Sequence, residues 1–116
     1  MATGINASGS QTATLATDHT LATATGTSGP LQGFMLRVDT ANLANGETLT
    51  LTLSTKARSS DTTRVIYKSV FSHVQSEPIK DSPIVLIQES NEVKAVLRQE
   101  GGSGRAYPWV LFQVAG

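Results

Sequence analysis

Apolar and polar residues alternate one for one along most of the chain, the period of a pleated strand whose successive side chains point to opposite faces. The run ETLTLTLST, residues 47–55, is the clearest case: Leu49, Leu51 and Leu53 share one face and Thr48, Thr50 and Thr52 the other. Threonine is β-branched and polar, which suits a solvent-facing strand position better than a helical one. In FMLRVD, residues 34–39, Phe34, Leu36 and Val38 alternate in the same way with Met35, Arg37 and Asp39. A long strand is predicted from Thr63 to Val74, with Val65, Tyr67, Phe71 and His73 on one face and Ile66, Val70 and Val74 on the other. Apolar groups on both faces predict that part of this strand is covered twice.

PIVLIQE (83–89) and EVKAVLRQE (92–100) flank Ser90-Asn91, a tight-turn signal, and predict a hairpin. GGSG at 101–104 reads as a flexible loop before the last strand, AYPWVLFQV, in which Ala106, Pro108, Val110, Phe112 and Val114 alternate with Tyr107, Trp109, Leu111 and Gln113. Proline has no N–H for a ladder, so Pro108 places the start of that strand at an edge or a bulge. Turn-forming clusters at 27–30, 41–46, 59–63 and 76–83 punctuate the chain at the spacing of a sandwich. No stretch keeps a helical period over three turns, which limits helix to one turn around Asn42 to Asn45. The reading is an all-β, single-domain β-sandwich, jelly-roll-like, with an extended N-terminal arm. A chain of 116 residues has the length of one domain and buries roughly two-thirds of its unfolded surface.

The arm stands out by charge. Residues 1–30 carry a single formal charge, Asp18, and the first cation is Arg37, so the chain divides into an arm, 1–30, and a sandwich body, 31–116. Gly/Ser/Thr-rich composition usually marks a linker, but Ile5, Leu15 and Leu21 recur among threonines, which are good strand formers. The expectation is an extended segment that adds to a sheet edge, its own, a sister subunit's or a larger partner's. TATLAT and TLATAT echo each other and predict a short hairpin around Asp18-His19.

Composition narrows the chemistry. Charged residues make up 16% of the chain, with nine cations against nine carboxylates, so no net charge pulls on nucleic acid or anionic lipid. Without cysteine there is neither a disulfide nor a thiolate metal site. No signal peptide opens the sequence and no apolar run approaches the ~20 residues of a membrane span, which implies a cytoplasmic product. Asp18 and His19 lie near many serines, but no G-x-S-x-G elbow is present and the pair reads as a turn. His19 and His73 lack metal-ligand spacing, and Glu77, Asp81, Glu89 and Glu92 fall in or beside turns as ordinary solvated acids. GGSGRA has the glycines of a phosphate cradle without the order of one. The expectations are no enzyme, no cofactor and no metal. Arg105, Tyr107 and Trp109 are residue types that anchor interfaces; Trp109 reads first as core, Tyr107 equally as core or surface. Partner binding is therefore assigned to Ile5, Leu15, Leu21, Arg105, Tyr107 and Trp109.

Four segments, TATLATDHTLAT (12–23), LRVDTANLANGETLTLTLSTKA (36–57), RVIYKSVFSHVQSEPI (64–79) and GGSGRAYPWVLFQV (101–114), together resemble a group of small virion proteins of tailed bacteriophages. The resemblance runs from about Gln11 to Val114 and holds no motif as sharp as a metal or nucleotide signature. It implies a capsid decoration, or cement, protein: a jelly-roll-like chain on the outer face of the major capsid protein lattice, as a dimer or trimer, located on the virion and in the host cytoplasm during assembly. An arm of twelve extended residues spans up to about 40 Å, enough to reach a neighbouring capsomer. The alternatives are a tail or head–tail joining protein, or a small carbohydrate-binding module with Tyr67, Tyr107 and Trp109 as its aromatic platform.

Overall fold

In a computed structural model, residues 4–27 and 31–115 are described. They form nine strands: β1 (Gly4–Thr12), β2 (His19–Thr25), β3 (Gln32–Asp39), β4 (Thr48–Thr55), β5 (Arg64–Ser72), β6 (Ile79–Asp81), β7 (Val85–Ile87), β8 (Glu92–Glu100) and β9 (Ala106–Ala115). Beyond Thr27, the turn expected at 27–30 lies outside the described residues.

Two antiparallel sheets result. The first has the order β1-β9-β3-β6, with β7 also on β3; the second is β2-β8-β4-β5. The period-two rows meet between them. Phe34, Leu36, Val38, Val85, Ile87, Tyr107, Trp109 and Leu111 from the first sheet pack with Leu49, Leu51, Leu53, Val93, Ala95 and Leu97 from the second. Each fully buried aliphatic side chain contributes roughly 1.5–3 kcal/mol. Aliphatic residues can therefore carry this core with few aromatics.

The described part of the N-terminal segment adds to the sheets of its own chain as their edge strands, the first of the three partners expected for it. β1 pairs along its length with β9, Gly9 opposite Trp109 and Thr12 opposite Ala106. β2 pairs with β8, His19 opposite Leu97 and Thr25 opposite Glu92. The partners of the neutral stretch are thus strands of its own chain, and its described residues do not extend away to a neighbour. No hairpin forms at Asp18-His19: residues 13–18 carry the chain from one sheet to the other. Ala13 N–H bonds to Arg105 O and Ala16 N–H to Gln99 O, and Ala16 takes a left-handed φ of 55°.

Crossing between sheets also overturns the second expected hairpin. Ser90 does make a tight turn, at φ 68°, but β7 joins β3 in the first sheet while β8 joins β2 and β4 in the second. The corner is tied by Gly26 N–H to Asn91 O, Ser90 N–H to Gly26 O and Asn91 Nδ2 to Lys56 O. A Cβ on Gly26 would collide with the carbonyl oxygen of Gln88.

Three smaller expectations change. The segment 40–47 holds two successive turns, Leu43 N–H to Thr40 O and Glu47 N–H to Ala44 O, instead of a helical turn. β5 ends at Ser72; His73 stands beyond it at φ 66°, exposed and off the face of Tyr67 and Phe71. A bulge between Leu53 and Ser54 sets Val65 opposite outward-facing Ser54, off the face of Tyr67 and Phe71, and Val65, Ile66 and Val70 are exposed, so β5 is covered on one face only. Pro108 fits where it stands: it pairs with Ser10 of β1, one residue short of Trp109, where pairing with β3 begins.

Candidate functional site

Because β3 and β9 are central strands, their outward residues form the middle of an open sheet face. β3 offers Gly33, Met35 and Arg37; opposite them on β9 stand Val114, Phe112 and Val110. β1 adds Ile5 beside Phe112, and β7 adds Leu86 beside Gly33. Ile84, just before β7, leans over Gly33 closely enough that a Cβ there would lie 2.8 Å from its Cγ2. Ile5 is 64% exposed, Leu86 62% and Ile84 57%. The outcome is a continuous aliphatic and aromatic surface with two shallow depressions. One of about 350 Å³ is lined by Gly4, Met35, Arg37, Phe112, Gln113 and Val114. The other, of about 390 Å³, runs past Ser8, Arg37, Asp39, Ile79, Pro108 and Val110.

Polarity enters this face at one end. Arg37 forks onto Asp81, Nε to Oδ1 at 2.7 Å and Nη2 to Oδ2 at 3.0 Å, and lies 5.1 Å above the Phe112 ring. Its guanidinium is thereby turned across the apolar surface, with its charge matched by Asp81.

The outer face of the second sheet is chemically opposite. Thr48, Thr50, Thr52 and Ser54 of β4 point outward between Lys68 and Val70 of β5 and Lys94, Val96 and Arg98 of β8. Arg98 bonds Asp18 and Glu100 at 3.2 and 3.4 Å. A shallow trough of about 490 Å³ along this face is lined by hydroxyls, cations and two carboxylates with two valines. The molecule therefore has one apolar and one hydroxyl-and-charge face.

The strongest electrostatic perturbation is at neither face. Glu47 is 2% exposed, and its carboxylate accepts from Arg105 Nε and Nη2 and from the N–H groups of Ala44 and Ser103. The Arg105 guanidinium outweighs desolvation and holds its pKa at about 2. Next to it, Gln99 Oε1 accepts from Arg105 N–H and from the Tyr107 hydroxyl, while its Nε2 donates to Gly101 O and Ser103 O. Burial raises the Tyr107 phenol to about 12. The carboxylate is saturated with donors, and the network pins the 101–105 crossover. A flexible loop was expected there; it is a tied one.

The six residues assigned to partner binding separate accordingly. Ile5 lies on the apolar face. Leu15, 38% exposed, sits in the β1–β2 crossover, away from it in sequence and strand order. Leu21 packs against the core and Tyr107 faces into it, so neither presents an anchoring surface, while Trp109, 9% exposed, belongs to the core and also lines the second depression. Their alternation with outward Pro108, Val110 and Phe112 fixes this. Arg105 is committed to Glu47. Of the aromatic platform, Tyr67 is half-buried against the core and the other two are buried, which leaves no exposed aromatic row. The residues missed were Met35, Ile84, Leu86, Phe112 and Val114; the signal was the second apolar row on β3 and β9.

Both imidazoles serve turns: His19 Nε2 accepts from Thr14 N–H and His73 Nδ1 from Gly46 N–H. Among the described residues no group of three His, Asp or Glu side chains is placed to hold a metal ion, and no helix is long and apolar enough to cross a membrane. Comparison with protein-family models, curated proteins and solved structures finds no match to this chain.

Proposed function

We propose that this protein is a structural adhesion module of the capsid-decoration kind, which lays its first-sheet face on the major capsid protein lattice and turns the second outward. The observation that carries this reading is the contrast between the faces: Ile5, Met35, Ile84, Leu86, Phe112 and Val114 on one side, a threonine and lysine surface on the other. Exposed apolar side chains that stand side by side on one sheet face are the kind of surface an interaction site uses. The hydroxyl-rich face stays hydrated without building a large field against adjacent copies. The resemblance to small phage virion proteins supplies the identity of the partner.

Such a role needs no single strong site. Repetition on a lattice multiplies modest contacts, and a ligand that binds only the assembled shell stabilises the shell by mass action. Particles that lack the chain are expected to rupture at a lower temperature than particles that carry it, and adding back Leu86→Lys protein is expected to restore less than native protein does. Equal rupture temperatures with and without the chain overturn the reading.

A further inference from the structure

β5 closes the second sheet with β4 as its strand neighbour and nothing on its other side among the described residues. An edge of nine residues with exposed aliphatic side chains is a template for another strand. The opposite edge of the first sheet is protected: β6 and β7 have three residues each, with Ser82 and Pro83 between them.

Which backbone groups β5 presents follows from one hydrogen bond. His73 N–H donates to Glu47 O at 3.0 Å. In an antiparallel ladder, hydrogen-bonded and non-hydrogen-bonded pairs alternate, so Leu49/Phe71, Leu51/Ser69 and Leu53/Tyr67 fall in the bonded phase. Thr50/Val70 and Thr52/Lys68 fall in the other. The N–H and C=O groups of Lys68 and Val70 therefore point off the sheet edge. Ser72 has the same phase, but its carbonyl accepts from Gln75 Nε2. The bulge that leaves Ile66 without a partner lies at the start of the strand, and Tyr67 to Ser72 are regular.

We propose that β5 pairs with β5 of a second copy in a two-fold antiparallel ladder centred on Ser69. The phase permits few registers. Centring on Lys68 sets the two lysines opposite each other, which is unfavourable. Centring on Val70 draws on the Ser72 carbonyl that Gln75 already holds. Centring on Ser69 puts Lys68 opposite the partner's Val70 on both sides of the axis, where each pair exchanges both N–H···O bonds. It also sets Tyr67 opposite the partner's Phe71 on the inner face, an aromatic cross-strand pair formed twice. Val70, 55% exposed, is then covered by the aliphatic stem of a lysine. The interface joins two sandwiches into one continuous sheet and stands independently of what covers the apolar face.

The chain has no cysteine, which permits a clean crosslinking test. Across the axis the Ser69 pair is of the non-hydrogen-bonded type, with Cα atoms about 4.5 Å apart, inside the usual range for a disulfide. Ser69→Cys protein, oxidised and run on a non-reducing gel, is expected to give a covalent dimer; preferential crosslinking through Val70→Cys overturns the register. In sedimentation equilibrium the native chain is expected to be a dimer. Val70→Lys, facing a lysine, is expected to weaken it about tenfold, and Val70→Glu to tighten it. Because residue 70 points into solvent, thermal melting of both variants confirms that the subunit stays folded. A native chain that sediments as a monomer at its highest soluble concentration, or a dimer indifferent to Val70→Lys, overturns the interface.

Discussion

Arg105 Nη2 lies 2.9 Å from Glu47 Oε2, and through that pair the start of β9 is fastened to the loop before β4, in the opposite sheet. The carboxylate is almost fully enclosed while the guanidinium keeps part of its surface in water. Removing the arginine therefore strands a buried charge. Arg105→Ala is expected to lower the urea unfolding midpoint clearly, because it leaves the enclosed Glu47 carboxylate without its cation, whereas removal of the exposed Arg58–Asp61 pair should leave the midpoint almost unchanged. Equal shifts would contradict the assigned role.

The same pair sets an acid dependence. Glu47 titrates at about 2 in the fold against an ordinary 4.5, so the folded state prefers the charged form. Its contribution is complete above about pH 4.5 and is lost as pH falls toward 2. Glu47→Gln is expected to be less stable than the native chain at neutral pH, with the difference shrinking through that window. A gap that is constant with pH would show that the charge is immaterial.

At the alkaline end the sign reverses. Burial favours the neutral Tyr107 phenol, raised to about 12, so its contribution is complete below about pH 10 and fades as pH climbs through 12. The phenolate absorbance of the native chain is expected to contain a step near 12 that Tyr107→Phe removes. That variant should cost about 1 kcal/mol, since Gln99 Oε1 keeps the Arg105 N–H as a donor.

Deleting residues 1–12 tests whether the N-terminal segment is detachable. Gly9 lies against the Trp109 indole, where an added Cβ would sit in ordinary contact at 3.5 Å, and β1 covers one side of β9. The truncated chain is expected to lose on the order of several kcal/mol, from paired backbone and bared core together, and to melt at a lower temperature. Unchanged melting would mean that β1 contributes nothing to the fold.

Much of this fold was legible because burial of one strand face imposes period two: the rows at 34–38 and 49–53 are the inner rows of β3 and β4. What alternation does not encode is sheet membership. Ser90 reads equally well as a hairpin turn or as a corner between layers, and a neutral threonine-rich stretch looks the same as a free arm or as an edge strand. Apolar residues on both faces of β5 suggested double cover, but the second face is exposed. The same double pattern on β3 and β9 marks the apolar surface itself. Arg105 was singled out for its type; its partner Glu47, far away in sequence, has no local signal.

The central claim is that the first-sheet face is the docking face. A cryo-EM reconstruction of particles carrying this chain tests it most directly. The prediction is Ile5, Leu86 and Phe112 against the shell, with Thr50, Lys68 and Lys94 toward solvent. A reconstruction with the threonine and lysine face against the shell, or with the chain missing from the lattice, would contradict it.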